Sequence, residues 1–284
     1  MTTYPKSEPL TRKVSETREA VHRFPVSARI EHIILLTTFL TLALTGLPQK
    51  YAEMPWGAGL IAILGGIETV RVIHRVAATA LMAEAIYHGG MITFKLFVLG
   101  EPPYLLPKLK DLTDLIGVMA YNLGIRKEHP RMERFNFEEK MEYWAVIWGM
   151  GIMIATGFML WNPIATTRYL PGEFIPAAKQ AHGSEAFLAV IAIVTWHFYN
   201  VLSHGNFSIF TGWIKRDIMA EKHALELEEI ETGEVYTPPP SDVIKKRLRW
   251  FIPLAFVMTS ILVAGLIWFV TFEQTAITTI PPIQ

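Results

Sequence analysis

Four long stretches of the chain carry no charged residue. They cover residues 32–49, 143–167, 186–214 and 250–272. Roughly 18–20 apolar residues cross the ~30 Å hydrocarbon core of a bilayer as a helix, and each stretch is near or above that length. Backbone groups in hydrocarbon must hydrogen-bond within their own segment, so these stretches should be helices. The sequence therefore predicts a multi-pass membrane protein.

A further span is predicted over residues 70–99, although it carries Arg71, Arg75, Glu84 and Lys95. Ionisable groups within a span are costly and usually face the bundle interior, a cavity or an interface. With this span the prediction is an all-α integral membrane bundle of five transmembrane helices.

The distribution of charge predicts the orientation. Lys and Arg concentrate before the first span and in the segments 95–140 and 215–249, whereas none follows the fifth span. By the positive-inside rule the N-terminus is expected in the cytoplasm and the C-terminus outside. The net charge is zero, so nothing in the balance of charge indicates binding to nucleic acid.

Cysteine is absent from the chain. This excludes disulfides, Cys-ligated iron–sulfur clusters and covalent c-type haem within this chain.

The spans and charges predict four segments. They are a cytoplasmic N-terminal arm at 1–28, a four-helix core at 29–215, a charged cytoplasmic linker at 216–249, and a fifth transmembrane helix with an outer tail at 250–284. The linker is expected to be a solvated loop, with contact to a partner as the alternative.

Apolar residues recur at helical spacing in the cytoplasmic segment 101–140. They are Leu109, Leu112, Leu115, Ile116 and Met119. This pattern predicts an amphipathic helix, which either lies on the membrane surface or forms a docking surface for a cytoplasmic subunit.

Histidine spacing carries the functional prediction. His74 and His88 lie fourteen residues apart in the second span, and His182 and His197 lie fifteen apart in the fourth. At ~1.5 Å per residue each pair is separated by about 21–22 Å along its helix, roughly on one side. The two spans run in the same direction, so His74 matches His182 at the outer level and His88 matches His197 at the inner level. A single membrane histidine is more often a packing residue, but four at matched depths predict two haems with two axial histidines each.

Several nearby residues have two interpretations. Arg71 and Arg75 either pair with haem propionates or reach for the membrane interface. Glycines on the first and third spans either leave room for the macrocycle or are ordinary helix contacts, and these are Gly46, Gly149, Gly151 and Gly157. Three histidines in charged loops, His22, His129 and His223, are expected to be solvated.

Two known families resemble this chain over roughly residues 23–215. The run Arg71-Val-Ile-His74-Arg75, with His88 after it, resembles the second helix of the cytochrome b of bc and bf complexes, and the His182/His197 spacing matches the bf form. Other motifs resemble the cytochrome b (gamma) subunit of respiratory formate dehydrogenases and nickel–iron hydrogenases. These are Arg29-Ile-Glu-His32, Thr45-Gly46, Pro103-Tyr-Leu-Leu-Pro107, Glu139-Lys-Met-Glu-Tyr-Trp144 and Thr156-Gly-Phe-Met-Leu-Trp161-Asn-Pro163.

The two resemblances imply different partners for His197 at the inner haem. The gamma-subunit pattern implies His32, and the bc-type pattern implies His88. We favour His88, because its helical phase matches that of His74. His32 then belongs to a quinone site or to a third haem with His204.

The resemblance implies a b-type cytochrome subunit of a respiratory oxidoreductase complex in a bacterial or archaeal cytoplasmic membrane. It would carry electrons through two b haems between the quinone pool and a partner with iron–sulfur clusters or multihaem cytochrome c. Whether the chain is itself an enzyme is left open. The alternatives are a stand-alone transmembrane electron carrier or reductase, and a haem-free transporter that uses histidines for protons or metal.

Overall fold

A computed structural model describes residues 20–272, apart from the side chain of His204. The helices are α1 (Val26–Lys50), α2 (Pro55–Ile63), α3 (Ile67–Phe94), α4 (Leu109–Asn122), α5 (Phe137–Trp161), α6 (Pro163–Thr167), α7 (Phe174–Ala192), α8 (Phe198–His204), α9 (Ser208–Thr211), α10 (Arg216–Lys222), α11 (Ala224–Thr232) and α12 (Ser241–Thr271). Two π-helical turns, Lys95–Leu99 and Ile193–His197, continue α3 and α7. The strands β1 (Ala20–His22) and β2 (Trp213–Lys215) form an antiparallel pair.

The described chain divides into two compact units. The membrane unit contains residues 27–102, 142–200 and 238–272, and the small unit contains residues 20–26, 103–141 and 201–237. The outer tail after residue 272 and the first nineteen residues of the predicted arm lie outside the described residues.

Helices long and apolar enough to cross a membrane confirm the predicted all-α membrane bundle. Four qualify alone, at Val26–Lys50, Phe137–Trp161, Phe174–Ser203 and Ser241–Thr271. The predicted second span lies within the helical segment Ile67–Leu99. This segment and α2 are long and apolar enough to cross a membrane when they are taken together, and they meet at an angle of 79°. Gly65 and Gly66 form this corner with φ of 93° and 91°, a conformation that glycine adopts without steric cost.

Aromatic contacts hold α12 against α3 and α5 within the membrane unit. Phe251 packs edge-on against Phe94 with 5.8 Å between ring centroids, and Trp268 stacks on Phe158 at the same distance. Most of the remaining α12 surface is apolar and exposed, as at Phe256 with 73% exposure. Hydrocarbon is a suitable solvent for such a surface.

The π-helical turn Ile193–His197 corrects the predicted phase of the fourth span. A π turn adds one residue to an α-helix, so the fifteen residues from His182 to His197 act as about fourteen. The turn per residue of ~100° then leaves about −40° between the two histidines, in place of the +60° expected from a regular helix. The inserted residue therefore places His197 closer to the side of the helix that carries His182.

The small unit has its own core, which includes part of the linker that was predicted to be solvated. Ile214, Met219 and Leu227 are all at most 9% exposed and form one apolar cluster. His223 is 1% exposed, so the prediction that it is solvated is wrong. Burial lowers the pKa of His223 to about 4, and the ring is therefore neutral at neutral pH.

A buried ion cluster joins the segments of the small unit. Arg23 follows β1, and its guanidinium lies 3.4 Å from carboxylate oxygens of both Glu139 and Glu226. Its Nη2 also donates to the backbone carbonyl of Arg134 at 2.6 Å. These segments look solvated in the sequence because they are charged. They are buried in the structure because their charges are paired with one another inside the unit.

Candidate haem-binding sites

The outer pair of predicted ligands meets across the membrane unit. His74 on α3 and His182 on α7 have ring centroids 6.3 Å apart. An imidazole nitrogen lies about 2 Å from a metal that it binds, so two axial rings on one metal have centres about 6 Å apart. The spacing of these two rings therefore fits one iron between them.

A threonine on α1 fixes the tautomer of His74. Thr45 Oγ1 lies 2.8 Å from His74 Nδ1 and 2.6 Å from the carbonyl oxygen of Thr41. The single hydroxyl proton goes to the carbonyl, so the hydroxyl accepts a hydrogen bond from Nδ1–H. The lone pair of His74 is then on Nε2, the nitrogen available to a metal.

The same arrangement recurs on α5 for His182. Thr156 Oγ1 lies 2.7 Å from the carbonyl oxygen of Ile152 and 2.9 Å from His182 Nδ1. The hydroxyl again donates to its own helix and accepts from the ring, which leaves the lone pair of His182 on Nε2.

A glycine follows each of these threonines and lies beside the ring. A Cβ at Gly46 would lie 3.0 Å from His74 Cε1, and one at Gly157 would lie 3.5 Å from His182 Cε1. The first distance is shorter than ordinary van der Waals contact. Two Thr-Gly pairs, Thr45-Gly46 and Thr156-Gly157, therefore hold the two outer rings.

At the inner level the histidine ring beside His197 is that of His32. The two ring centroids are 6.4 Å apart, nearly the same separation as in the outer pair. His197 Nδ1 donates to Glu142 Oε2 at 2.9 Å, so its lone pair is also on Nε2. Residue His32 comes from α1, near the opposite end of that helix from Thr45.

His88, which we favoured from the sequence as the inner ligand, has other partners. Its Nδ1 lies 2.7 Å from Glu31 Oε2, and its Nε2 lies 3.4 Å from the hydroxyl of Tyr143. Glu31 and Tyr143 therefore contact His88, whereas His32, the residue after Glu31, lies beside His197. Helical phase predicts the depth of His88 in the span, but it does not show which histidine ring lies beside His197.

A carboxylate adds to the surroundings of His88. Ligand atoms of Glu31, Glu84 and His88 all lie within 4.8 Å of one another. This group is a polar cluster inside the membrane unit, and its member Glu31 directly precedes His32 on α1.

Arg71 and Arg75 differ in their contacts. Arg71 is half exposed and pairs with Glu68 on the same helix at 2.8 Å. The guanidinium of Arg75 lies 4.6 Å from the ring centroid of Trp161. Pairing of either arginine with a haem propionate stays a prediction.

The chemistry of these donors fits a b-type haem. Three of the four paired imidazoles have Nδ1 engaged by an acceptor and Nε2 left for coordination, the usual arrangement of metal-bound histidine. A bundle that offers one imidazole to each side of a flat macrocycle supplies both axial ligands. A third haem at His32 and His204 stays a prediction, since the side chain of His204 lies outside the described residues.

From the sequence, Thr45, Thr156 and Glu142 are named only as parts of family motifs, and no contact of theirs with a histidine is predicted. Threonine in a helix commonly bonds to its own backbone, so neither residue differs in sequence from an ordinary helical threonine. A signal for the two threonines was available in the sequence. A Thr-Gly pair occurs once on α1, before the helix of His74, and once on α5, before the helix of His182.

Comparison with known proteins gives consistent relatives. The formate dehydrogenase cytochrome b556(fdo) subunit of Escherichia coli (strain K12) is 23% identical over 206 residues, which are 72% of this chain and 84% of the relative. The nitrate-inducible formate dehydrogenase cytochrome b556(Fdn) subunit of the same strain is 21% identical, over 72% of this chain and 88% of the relative. The formate dehydrogenase cytochrome b556 subunit of Haemophilus influenzae is 23% identical, over 70% and 78%.

The family model described as prokaryotic cytochrome b561 matches residues 23–212, well over half of the chain. That range contains all four histidines of the two ring pairs. Its apolar helices make the chain a multi-pass membrane protein. This chain belongs to the prokaryotic cytochrome b561 family, and it is a membrane cytochrome b that binds haem b and transfers electrons.

Proposed function

We propose that this chain holds two b haems and conducts electrons across the membrane between the quinone pool and a partner redox subunit. His74 and His182 would hold the outer haem, and His32 and His197 would hold the inner haem. The observation that supports both assignments is the matched separation of the ring centroids, 6.3 Å and 6.4 Å.

Haem iron with two histidine ligands supplies reversible one-electron transfer. The chain contributes the ligands and their orientation. Thr45 and Thr156 hold the outer rings in one tautomer, and Glu142 holds His197. The hydrogen bonds at Nδ1 leave the lone pair of each of these rings on Nε2, the nitrogen that would bind the haem iron.

The two haems lie at different depths of one bundle. His182 and His197 are fifteen residues apart on one helical span, a rise of about 22 Å. With the N-terminus in the cytoplasm, as the charges predict, the outer pair lies towards the outer face and the inner pair towards the cytoplasm. Haems held by these two histidine pairs would be separated along most of the depth of the hydrocarbon core.

The partner subunit performs the primary substrate chemistry in this proposal. The chain has no cysteine for an iron–sulfur cluster, and its relatives are cytochrome subunits of formate dehydrogenases. We infer a partner that carries iron–sulfur clusters or multihaem cytochrome c and delivers electrons to the outer haem or takes them from it.

The polar cluster around His88 supports a quinone as the other redox partner. A quinone head group needs hydrogen-bond donors and acceptors close to a haem, and His88, Tyr143 and Glu84 supply them within the membrane unit. Tyr143→Phe should slow haem reduction by a quinol analogue and leave the haem count unchanged. An unchanged rate would remove His88 and its neighbours from the quinone site.

The haem assignment is tested with the full-length chain in detergent or nanodiscs. A dithionite-reduced minus oxidised spectrum and a pyridine haemochrome assay should show two b haems per chain. One haem per chain would contradict the pair of sites, and no haem would contradict the function as a whole.

A further inference from the structure

Helix α4 of the small unit has its polar side turned inward and its apolar side turned outward. The outward residues define what we call the α4 apolar face, and they are Leu109, Leu112, Leu115, Ile116, Met119 and Leu123. At ~100° per residue they occupy one stripe about 120° wide. Their exposure ranges from 37% at Leu115 to 87% at Leu109.

Ion pairs hold the opposite side of α4 against its own unit. Asp114, with 6% exposure, pairs with Lys110 at 2.6 Å, and Lys110 also donates to the carbonyl oxygen of Arg131. Asp111 pairs with Lys140 at 2.7 Å, and the side chain of Lys140 is only 2% exposed. Because its charges are engaged inside the unit, α4 cannot rotate to bury the apolar face without separating these pairs.

The helix cannot lie far from the bilayer. The π-helical turn that ends the second span stops at Leu99, and α4 begins at Leu109. The nine residues between them reach at most about 30 Å when fully extended. The composition of the face also favours lipid, since five of its six residues are leucine or isoleucine, whereas the cores of protein interfaces are enriched in aromatic residues, methionine and arginine.

The charges at the ends of the stripe match a phospholipid surface. Arg126 and Lys127 follow α4 in an exposed loop, and Lys108, which pairs with Glu133 at 3.0 Å, precedes it. Basic residues beside an aliphatic stripe are typical of helices that lie in the head-group region, where they meet lipid phosphates. Phosphate groups would lie along the two ends of the stripe, and acyl chains beneath it.

We propose that α4 lies in the interface of the phospholipid bilayer, with the α4 apolar face inserted among the acyl chains. The contact anchors the small unit to the membrane through a surface separate from the transmembrane helices. It does not depend on the haem assignment.

The absence of cysteine makes a direct test practical. Single variants Leu112→Cys and Ile116→Cys, each carrying a nitroxide, are placed in full-length protein in nanodiscs of phosphatidylcholine and phosphatidylglycerol at three to one. Glu229→Cys on α11, an exposed position of the same unit, is the matched control. The relaxation of each label by oxygen and by a water-soluble nickel chelate is measured, and an unchanged haem spectrum checks that each variant is folded.

Labels at 112 and 116 should be relaxed several-fold more strongly by oxygen than by the nickel chelate, and the label at 229 should show the reverse. Nickel relaxation at 112 and 116 equal to that at 229 would place the face in water and overturn the proposal. Labels at 112 and 116 shielded from both reagents would show that protein covers the face, which would overturn it as well.

Discussion

The outer and inner histidine pairs have nearly the same ring separation but different surroundings. Each outer ring donates to a neutral threonine hydroxyl, whereas at the inner level His197 donates to the carboxylate of Glu142. Arg75 follows the outer His74 directly, and Glu31 precedes the inner His32 directly. The outer pair of rings therefore lies in a more positive environment than the inner pair.

This difference should set the order of the two reduction potentials. Oxidised haem iron carries one more positive charge than reduced iron, so a neighbouring carboxylate stabilises the oxidised form and lowers the potential. A hydrogen bond to a charged group is worth about 1 kcal/mol more than one between neutral groups. For one electron this is about 40 mV, so the inner haem should have the lower potential.

Substitution of one proposed ligand at a time should distinguish the redox components of the two sites. His182→Ala leaves His74 without its partner, so we expect loss of one haem per chain and retention of the low-potential component. His197→Ala should also lose one haem but retain the high-potential component. A redox titration monitored in the α band, with a haemochrome count, measures both results. Loss of the low-potential component in His182→Ala would reverse the assignment of the potentials.

Gly46 should be required at the outer site and not at the inner one. The Cβ of Gly46→Val would lie 3.0 Å from His74 Cε1, so the ring must shift and the outer haem should bind only in part. Gly151→Val is the matched control, because among the described residues a Cβ there has no neighbour within 4 Å. Haem content per chain is the measurement. Equal haem content in the two variants would contradict the role of Gly46.

Glu142→Gln should raise the potential of the inner haem by about 40 mV and leave that of the outer haem unchanged. The amide oxygen still accepts from His197 Nδ1, so the ligand stays oriented and the change in charge is isolated. Glu142→Asp is expected to return the potential towards that of the natural protein. A shift of the high-potential component instead would contradict the placement of Glu142 at the lower-potential haem.

Thr45→Val should produce the smallest change. It removes a neutral acceptor from His74 Nδ1, so the potential of the outer haem should rise by roughly half as much as in Glu142→Gln. Thr45→Ser restores the hydroxyl and should restore the potential, which separates the hydrogen bond from packing. An equal shift in the serine and valine variants would indicate that only the methyl group of Thr45 matters.

His74 and His182, which the sequence paired, lie side by side in the structure, whereas the histidine ring beside His197 is that of His32 and not that of the favoured His88. His74 and His182 lie within spans whose depth follows directly from helical rise. The inner partner of His197 depends on lateral placement, and Glu31 and His32, adjacent on α1, contact different histidines. Depth alone cannot distinguish His32 from His88, because both lie near the same level.

Two other features depend on information that a regular helix does not contain. The π-helical turn Ile193–His197 inserts one residue and so changes the side of the helix on which His197 lies. The sequence of this turn does not differ from that of an ordinary apolar helix. In the small unit, burial of His223 depends on Arg23, two hundred residues earlier in the chain, whose Nη2 lies 3.3 Å from the His223 ring. A charged segment that looks solvated can therefore be buried when its charges meet distant partners.

The assignment of the inner ligand is tested most directly by a haem count on His32→Ala and His88→Ala in the full-length protein. We expect one b haem per chain in His32→Ala, with the low-potential component absent, and two in His88→Ala. Two haems in His32→Ala and one in His88→Ala would contradict the proposed inner pair.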